Sequence, residues 1–120
     1  MFEEILKNVL SGTDGALGAL IMGLDGISIA RADAGVDSID IDVVAAEYTS
    51  LLRKAVRNGE DLPIGPLGEI ALVSDRYSFL LMPITPEYFL VLVLRSHGGL
   101  GRARFELRKA QLALEEEFSI

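Results

Sequence analysis

Phe89-Leu90-Val91-Leu92-Val93-Leu94 is an unbroken apolar run. It is far too short to cross a bilayer and right for a β-strand covered on both faces. Ala16 to Leu24 is almost as apolar and has the same requirement. Two such strands cannot lie at a solvated sheet surface, so helices must flank the sheet on both sides. The expected fold is therefore α/β (α+β) in three layers, helix over antiparallel sheet over helix.

The punctuation between the runs supplies those helices and the remaining strands. Phe2, Ile5, Leu6, Val9 and Leu10 recur at helical spacing, and Ser11-Gly12-Thr13-Asp14-Gly15 ends that first helix. Leu24-Asp25-Gly26-Ile27 predicts a hairpin with a type I′ turn, since Asp-Gly supplies the positive φ angles that turn needs. The returning strand, Ile27 to Ala32, admits Ser28 and Arg31, which suits a sheet edge. A second helix starts at Asp40, a good N-cap, with Ile39 and Val44 placed as a hydrophobic staple. Gly59 is expected to end it, with Arg53, Lys54 and Arg57 complementing the dipole. Its apolar stripe is Ile41, Val44, Ala45, Tyr48, Leu51, Leu52, Ala55 and Val56, wider than the ~100° usual for a helix lying on one sheet. Part of that stripe is expected to cover a second surface.

After a loop rich in Pro and Gly, the runs Leu67 to Ser74, Tyr77 to Ile84 and Phe89 to Arg95 predict an antiparallel meander. Pro83 and Pro86 break the greasy stretch from Tyr77 to Leu94, which excludes a membrane span there. Glu69 and Ser74 put the first run near an edge, and the wholly apolar last run belongs at the centre. The final helix, about Leu100 to Phe118, turns Leu100, Ala103, Leu107, Ala110, Leu114 and Phe118 inward. At 120 residues the sequence predicts one domain spanning 1–120.

Composition narrows function. There is no cysteine, which excludes disulfides and thiolate zinc sites and suits a reducing compartment. The formal charge of −7, from 18 acids against 11 bases, argues against nucleic acid and anionic membrane as partners. Acids where a signal peptide needs bases predict a cytoplasmic protein.

Candidate chemistry is thin. His97 is the sole histidine; Ser96 beside it does not make a nucleophile and base, because chain neighbours rarely point at one another. Ser96 to Arg102 is Gly-rich before a helix but lacks the Lys-Ser/Thr of a P-loop, so a strand-to-helix turn is the better reading. Asp33, Asp37, Asp40 and Asp42 lack the glycine and distal glutamate of an EF-hand, and helix capping explains Asp40 and Asp42. No catalytic residue, cofactor or metal is expected, and the chain is not expected to be an enzyme. The last helix holds one oddity. Arg102, Arg104, Arg108 and Lys109 lie toward its positive end and Glu115, Glu116 and Glu117 at its negative end, against the macrodipole. The outer side of the second helix, with Val43, Ala46, Glu47, Ser50, Lys54 and Arg57, sets small residues beside charges and suits close approach by a partner.

In order and length the pieces resemble the roadblock / dynein light-chain family. The resemblance rests on the hairpin Gly15 to Ala30 and on Leu100 to Ala110 at the start of the last helix. It implies a five-stranded antiparallel sheet of order 2-1-5-4-3, with the second helix on one face and the first and third on the other. It also implies a homodimer whose third strands pair and whose second helices meet. That sets Tyr48, Leu51 and Ala55, with Glu69, Ile70, Ala71, Leu72 and Val73, at the junction. Bacterial members of MglB type serve small Ras-like GTPases as activators, which makes such a GTPase the implied partner and the second helix the implied platform. Arg104 on the last helix would then lie away from that platform. The sequence stops soon after its last helix, so functions carried by a C-terminal extension are not expected. An adaptor without effect on GTP hydrolysis, or a sensory domain holding a small ligand, fits the same residues.

Overall fold

In the computed structural model every side chain from Phe89 to Leu94 is at most 1% exposed. The structure describes residues 1–34, 40–96 and 99–119. Along the chain come α1 (Phe2–Ser11), β1 (Ala16–Gly23), β2 (Ser28–Asp33), α2 (Ile41–Asp61), β3 (Ile70–Val73), β4 (Tyr77–Pro83), β5 (Tyr88–Arg95) and α3 (Leu100–Phe118). The strands form one antiparallel sheet of order β2-β1-β5-β4-β3. The apolar run is therefore the central strand, and the run expected from Leu67 to Ser74 is an edge shortened to Ile70–Val73, with Glu69 and Ser74 just outside it.

Strand alternation divides the core into two. Leu90, Leu92 and Leu94 of β5 join Ile21, Leu80 and Met82 under α1 and α3. Phe89, Val91 and Val93 join Met22, Phe79 and Leu81 under α2. Fully burying one such side chain contributes ~1.5–3 kcal/mol, so β5 alone anchors both outer layers. At the far end, Phe118 of α3 stacks between Phe2 and Tyr88, with ring centroids 5.3 and 5.1 Å away.

Two local expectations are overturned. The β1–β2 turn is not type I′, because among the described residues only glycines take positive φ. Gly26 alone does so here, at φ +87°, and its N–H donates to the Gly23 carbonyl at 3.0 Å. Gly23 N–H in turn donates to Ile27 O at 2.9 Å, so Leu24, Asp25 and Gly26 form a three-residue loop. Asp25 contributes its carboxylate instead, accepting from Ile27 N–H at 3.0 Å.

Nor does Gly59 end α2. The helix runs on to Asp61, its last turn carries no base, and Arg53, Lys54 and Arg57 lie further back. The glycine serves close packing: a Cβ there would lie 2.7 Å from Gly65 O and 3.2 Å from Leu67 N. The loop between α2 and β3 thus rests directly on the helix backbone.

Candidate partner-binding surface

α2 covers one face of the sheet, and side-chain contacts fix its rotation. Asp40 caps it, accepting from Asp42 N–H and Val43 N–H at 3.1 and 3.3 Å. The staple partner Ile39 lies outside the described residues. On one flank Asp42 pairs with Arg31 of β2, and Arg53 donates to the Leu24 carbonyl. On the other, Tyr48 packs on Phe79 of β4, ring centroids 5.5 Å apart. The buried line is Ile41, Ala45, Thr49 and Leu52.

Two assignments within the stripe change. Thr49 is buried, because its hydroxyl donates to the Ala45 carbonyl at 3.0 Å and leaves only the methyl to pack. Leu51, counted in the apolar stripe, is 44% exposed on the flank of α2 that faces β3 and β4.

The outer side of α2 presents Val43, Ala46, Glu47, Ser50, Lys54 and Arg57, all exposed, with Val43 at 56%. Tyr48 and Ala55 are half-buried. On β3 the residues alternate. Ile70 and Leu72 pack into the core beneath α2, while Ala71 and Val73 are exposed, Val73 at 64%. Glu69 is half-buried and bonds Arg104 of α3 at 2.7 Å. Arg104 is therefore tied to the rim of the β3 edge and does not lie away from it. Its neighbours are also engaged: Glu106, 5% exposed, takes Arg102 at 3.0 Å and Lys109 at 3.3 Å. Two of the four bases, Arg102 and Lys109, are thus held by a buried acid that the helical spacing i−4 and i+3 foreshadows.

The aspartate cluster has a similar explanation. Arg31 bridges Asp33, at 2.7 Å, and Asp42. Its pKa is raised above the ordinary value, first by the hydrogen bond to Asp33 and then by the charge of Asp42, against some desolvation. The guanidinium therefore stays charged throughout the physiological pH range. Asp37, His97 and Gly98 lie outside the described residues. No cluster of metal-ligating side chains occurs among the described residues, and no helix there is long and apolar enough to cross a membrane.

The surface that remains is an exposed helix side beside an open strand edge on this sheet order. Residues 1–94 match the Roadblock/LC7 domain model. The chain belongs to the Roadblock/LC7 family. This roadblock chain is 27% identical over 118 residues to MJ1340 of Methanocaldococcus jannaschii, covering 98% of this chain and 100% of that one. MglC from Myxococcus xanthus is similar in structure, with TM-score 0.76, 27% identity and 98% of each chain covered. The gliding protein MglB from Thermus thermophilus has TM-score 0.83 at 21% identity, with 96% of this chain and 86% of that one covered. At that identity MglB speaks for the fold alone.

Proposed function

We propose that this roadblock domain is a cytoplasmic, homodimeric and non-catalytic regulator or scaffold of a small Ras-like GTPase. The observation that carries the reading is the exposed apolar and small side of α2 beside the open backbone edge of β3. Val43, Ala46, Ser50 and Leu51 are exposed on the helix, and the edge strand beside it exposes Ala71 and Val73 on the face away from α2. Open strand edges of this kind pair readily, and pairing of two β3 edges would bring two α2 helices together as one platform. Similarity to MglC supports the reading, and the fold shared with MglB is compatible with it. A partner seated on small residues can bring its backbone close. Acceleration of hydrolysis would then come from holding the GTPase's own residues in place, with no group supplied for the chemistry. Arg102 and Arg104 are bound within the chain, which leaves neither poised as an arginine finger.

The test combines a GTP-hydrolysis assay on the cognate GTPase with a binding measurement. Wild-type protein should raise the hydrolysis rate, and Ser50→Arg should abolish both binding and stimulation while retaining helicity. Arg108→Glu, on exposed α3 across the sheet, is the control and should bind normally. Binding without any change in rate would make the protein an adaptor. Normal binding by Ser50→Arg would move the partner site elsewhere.

A further inference from the structure

At the end of the sheet where β1 turns into β2 and β4 into β5, the C-terminal half of α2 leaves a hollow of about 460 Å³. Leu52, Val56, Ile84 and Phe89 floor it, and Pro66, Pro83 and Pro86 stand around it. A second hollow of about 210 Å³ shares Leu24 and Tyr88 with the first and reaches Asp25 and Glu87. The two hollows adjoin at these shared residues, and together they are referred to as the groove at this end of the domain.

The groove is held in shape by contacts that do not depend on an occupant. The Gly59–Gly65 approach seats the loop carrying Pro66 and Leu67 on the helix. In the β4–β5 turn the Thr85 hydroxyl accepts from Glu87 N–H at 3.2 Å and Tyr88 N–H at 3.1 Å. Gln111 of α3 donates to the Pro83 carbonyl at 2.5 Å, and Arg53 donates to the Leu24 carbonyl. A pre-formed apolar hollow of this size is the usual form of a binding site.

Its charges select the occupant. Among the described residues, every charged group lining the two hollows is an acid: Glu60, Asp25 and Glu87. Arg53, whose guanidinium reaches the Leu24 carbonyl, is engaged there. We propose that this groove binds a segment of a partner protein whose apolar side chains are flanked by Lys or Arg. The apolar floor takes the former, and acids at both ends meet the latter. Two hollows in line suit an extended or helical segment better than one compact molecule. A second copy of this acidic chain is a poor match, since its net charge of −7 would be brought against these acids.

The probe is a synthetic peptide with Leu at helical spacing and Lys elsewhere, titrated into ¹⁵N-labelled protein and followed by NMR and by fluorescence anisotropy. Saturable shifts should centre on Leu24, Val56, Glu60, Leu67 and Phe89. Glu60→Lys and Leu67→Asp, both at the groove's rim, should each weaken binding roughly tenfold. A peptide with Ser in place of Leu should lose as much, and Ser50→Arg should leave binding unchanged, which separates this site from the GTPase platform. Absence of binding, equal binding of the Ser peptide, or shifts spread over the acidic surface would overturn the proposal. So would groove shifts that depend on protein concentration alone, which would give the site to a second copy. A small apolar molecule retained in native mass spectrometry and displaced by no peptide would also overturn it.

Discussion

Gly59→Ala should destabilise this protein even though Ala is the better helix former. In a helix interior the exchange ordinarily gains about 0.8–1 kcal/mol. Here the added Cβ would sit 2.7 Å from Gly65 O, with Leu67 N at 3.2 Å and Pro66 Cα at 3.4 Å. The first of these is roughly 0.6 Å inside the ~3.3 Å at which carbon and carbonyl oxygen normally stop. All three obstacles are backbone, so no side chain can swing away, and the loop itself must shift. Overpacking of that kind costs ~1–3 kcal/mol, which leaves a net loss of about 0–2 kcal/mol. For a chain of this size that lowers Tm by up to about 8 °C. Gly101→Ala supplies the internal comparison, because a Cβ there meets nothing within 4 Å on exposed α3. It should raise Tm by up to about 4 °C. Thermal and urea unfolding followed by circular dichroism decide the matter. A rise in Tm for Gly59→Ala equal to that of Gly101→Ala would refute the direct seating of the loop on α2.

Ala71→Lys should weaken self-association at little cost to the folded protomer, since Ala71 is exposed, whereas Ile70→Lys should also lower the unfolding midpoint because Ile70 packs beneath α2. Sedimentation equilibrium should give twice the 13.0 kDa chain mass for the wild type, and a 13.0 kDa species alone at micromolar concentration would sink the dimer. Arg104→Glu should loosen the same association, because it sets two acids together at Glu69 beside the β3 edge. Glu106→Gln should cost about 1 kcal/mol in urea unfolding, discounted from a fully buried pair because Arg102 and Lys109 are more than half exposed. An unchanged midpoint would show that the carboxylate is not held by its charge.

What the sequence made legible was whatever rests on strong local physics. An apolar run without interruption can only be a covered strand, and Phe89 to Leu94 is the centre of the sheet. Asp40 caps a helix because its carboxylate reaches backbone N–H groups near in sequence. Gly59 was misread because a helix-ending glycine and a close-packing glycine look alike until the residues folded against them are known. Asp-Gly likewise promised one tight turn and delivered another, since Asp25 could serve through its carboxylate without taking positive φ. Thr49 and Leu51 exchanged places because a threonine that bonds its own helix can be buried, which periodicity does not register. Glu106 did carry a signal, with Arg102 four residues before it and Lys109 three after, but spacing alone does not show that the acid is buried. The groove was wholly illegible: its walls come from four separate stretches of chain that only the fold brings together.

The charges along α2 bear on how any partner must lie. Its exposed side begins with Val43, Ala46 and Ser50, interrupted by the single acid Glu47, passes to Arg53, Lys54 and Arg57, and ends with Glu60 and Asp61. A partner running along the whole helix is therefore matched by apolar or small groups first, then acids, then bases. Reversed, it would bring bases near Val43 and leave its apolar groups facing the charged end, losing the favourable pairs without gaining others. Exposed pairs contribute little each, and salt screens them over about 10 Å at 0.1 M. Their sum is thus better suited to choosing an orientation and speeding encounter than to holding the complex. Affinity has to come from the surfaces at either end of that charge gradient: the apolar and small residues beside the open edge, and the acid-rimmed groove beneath the last turn of the helix.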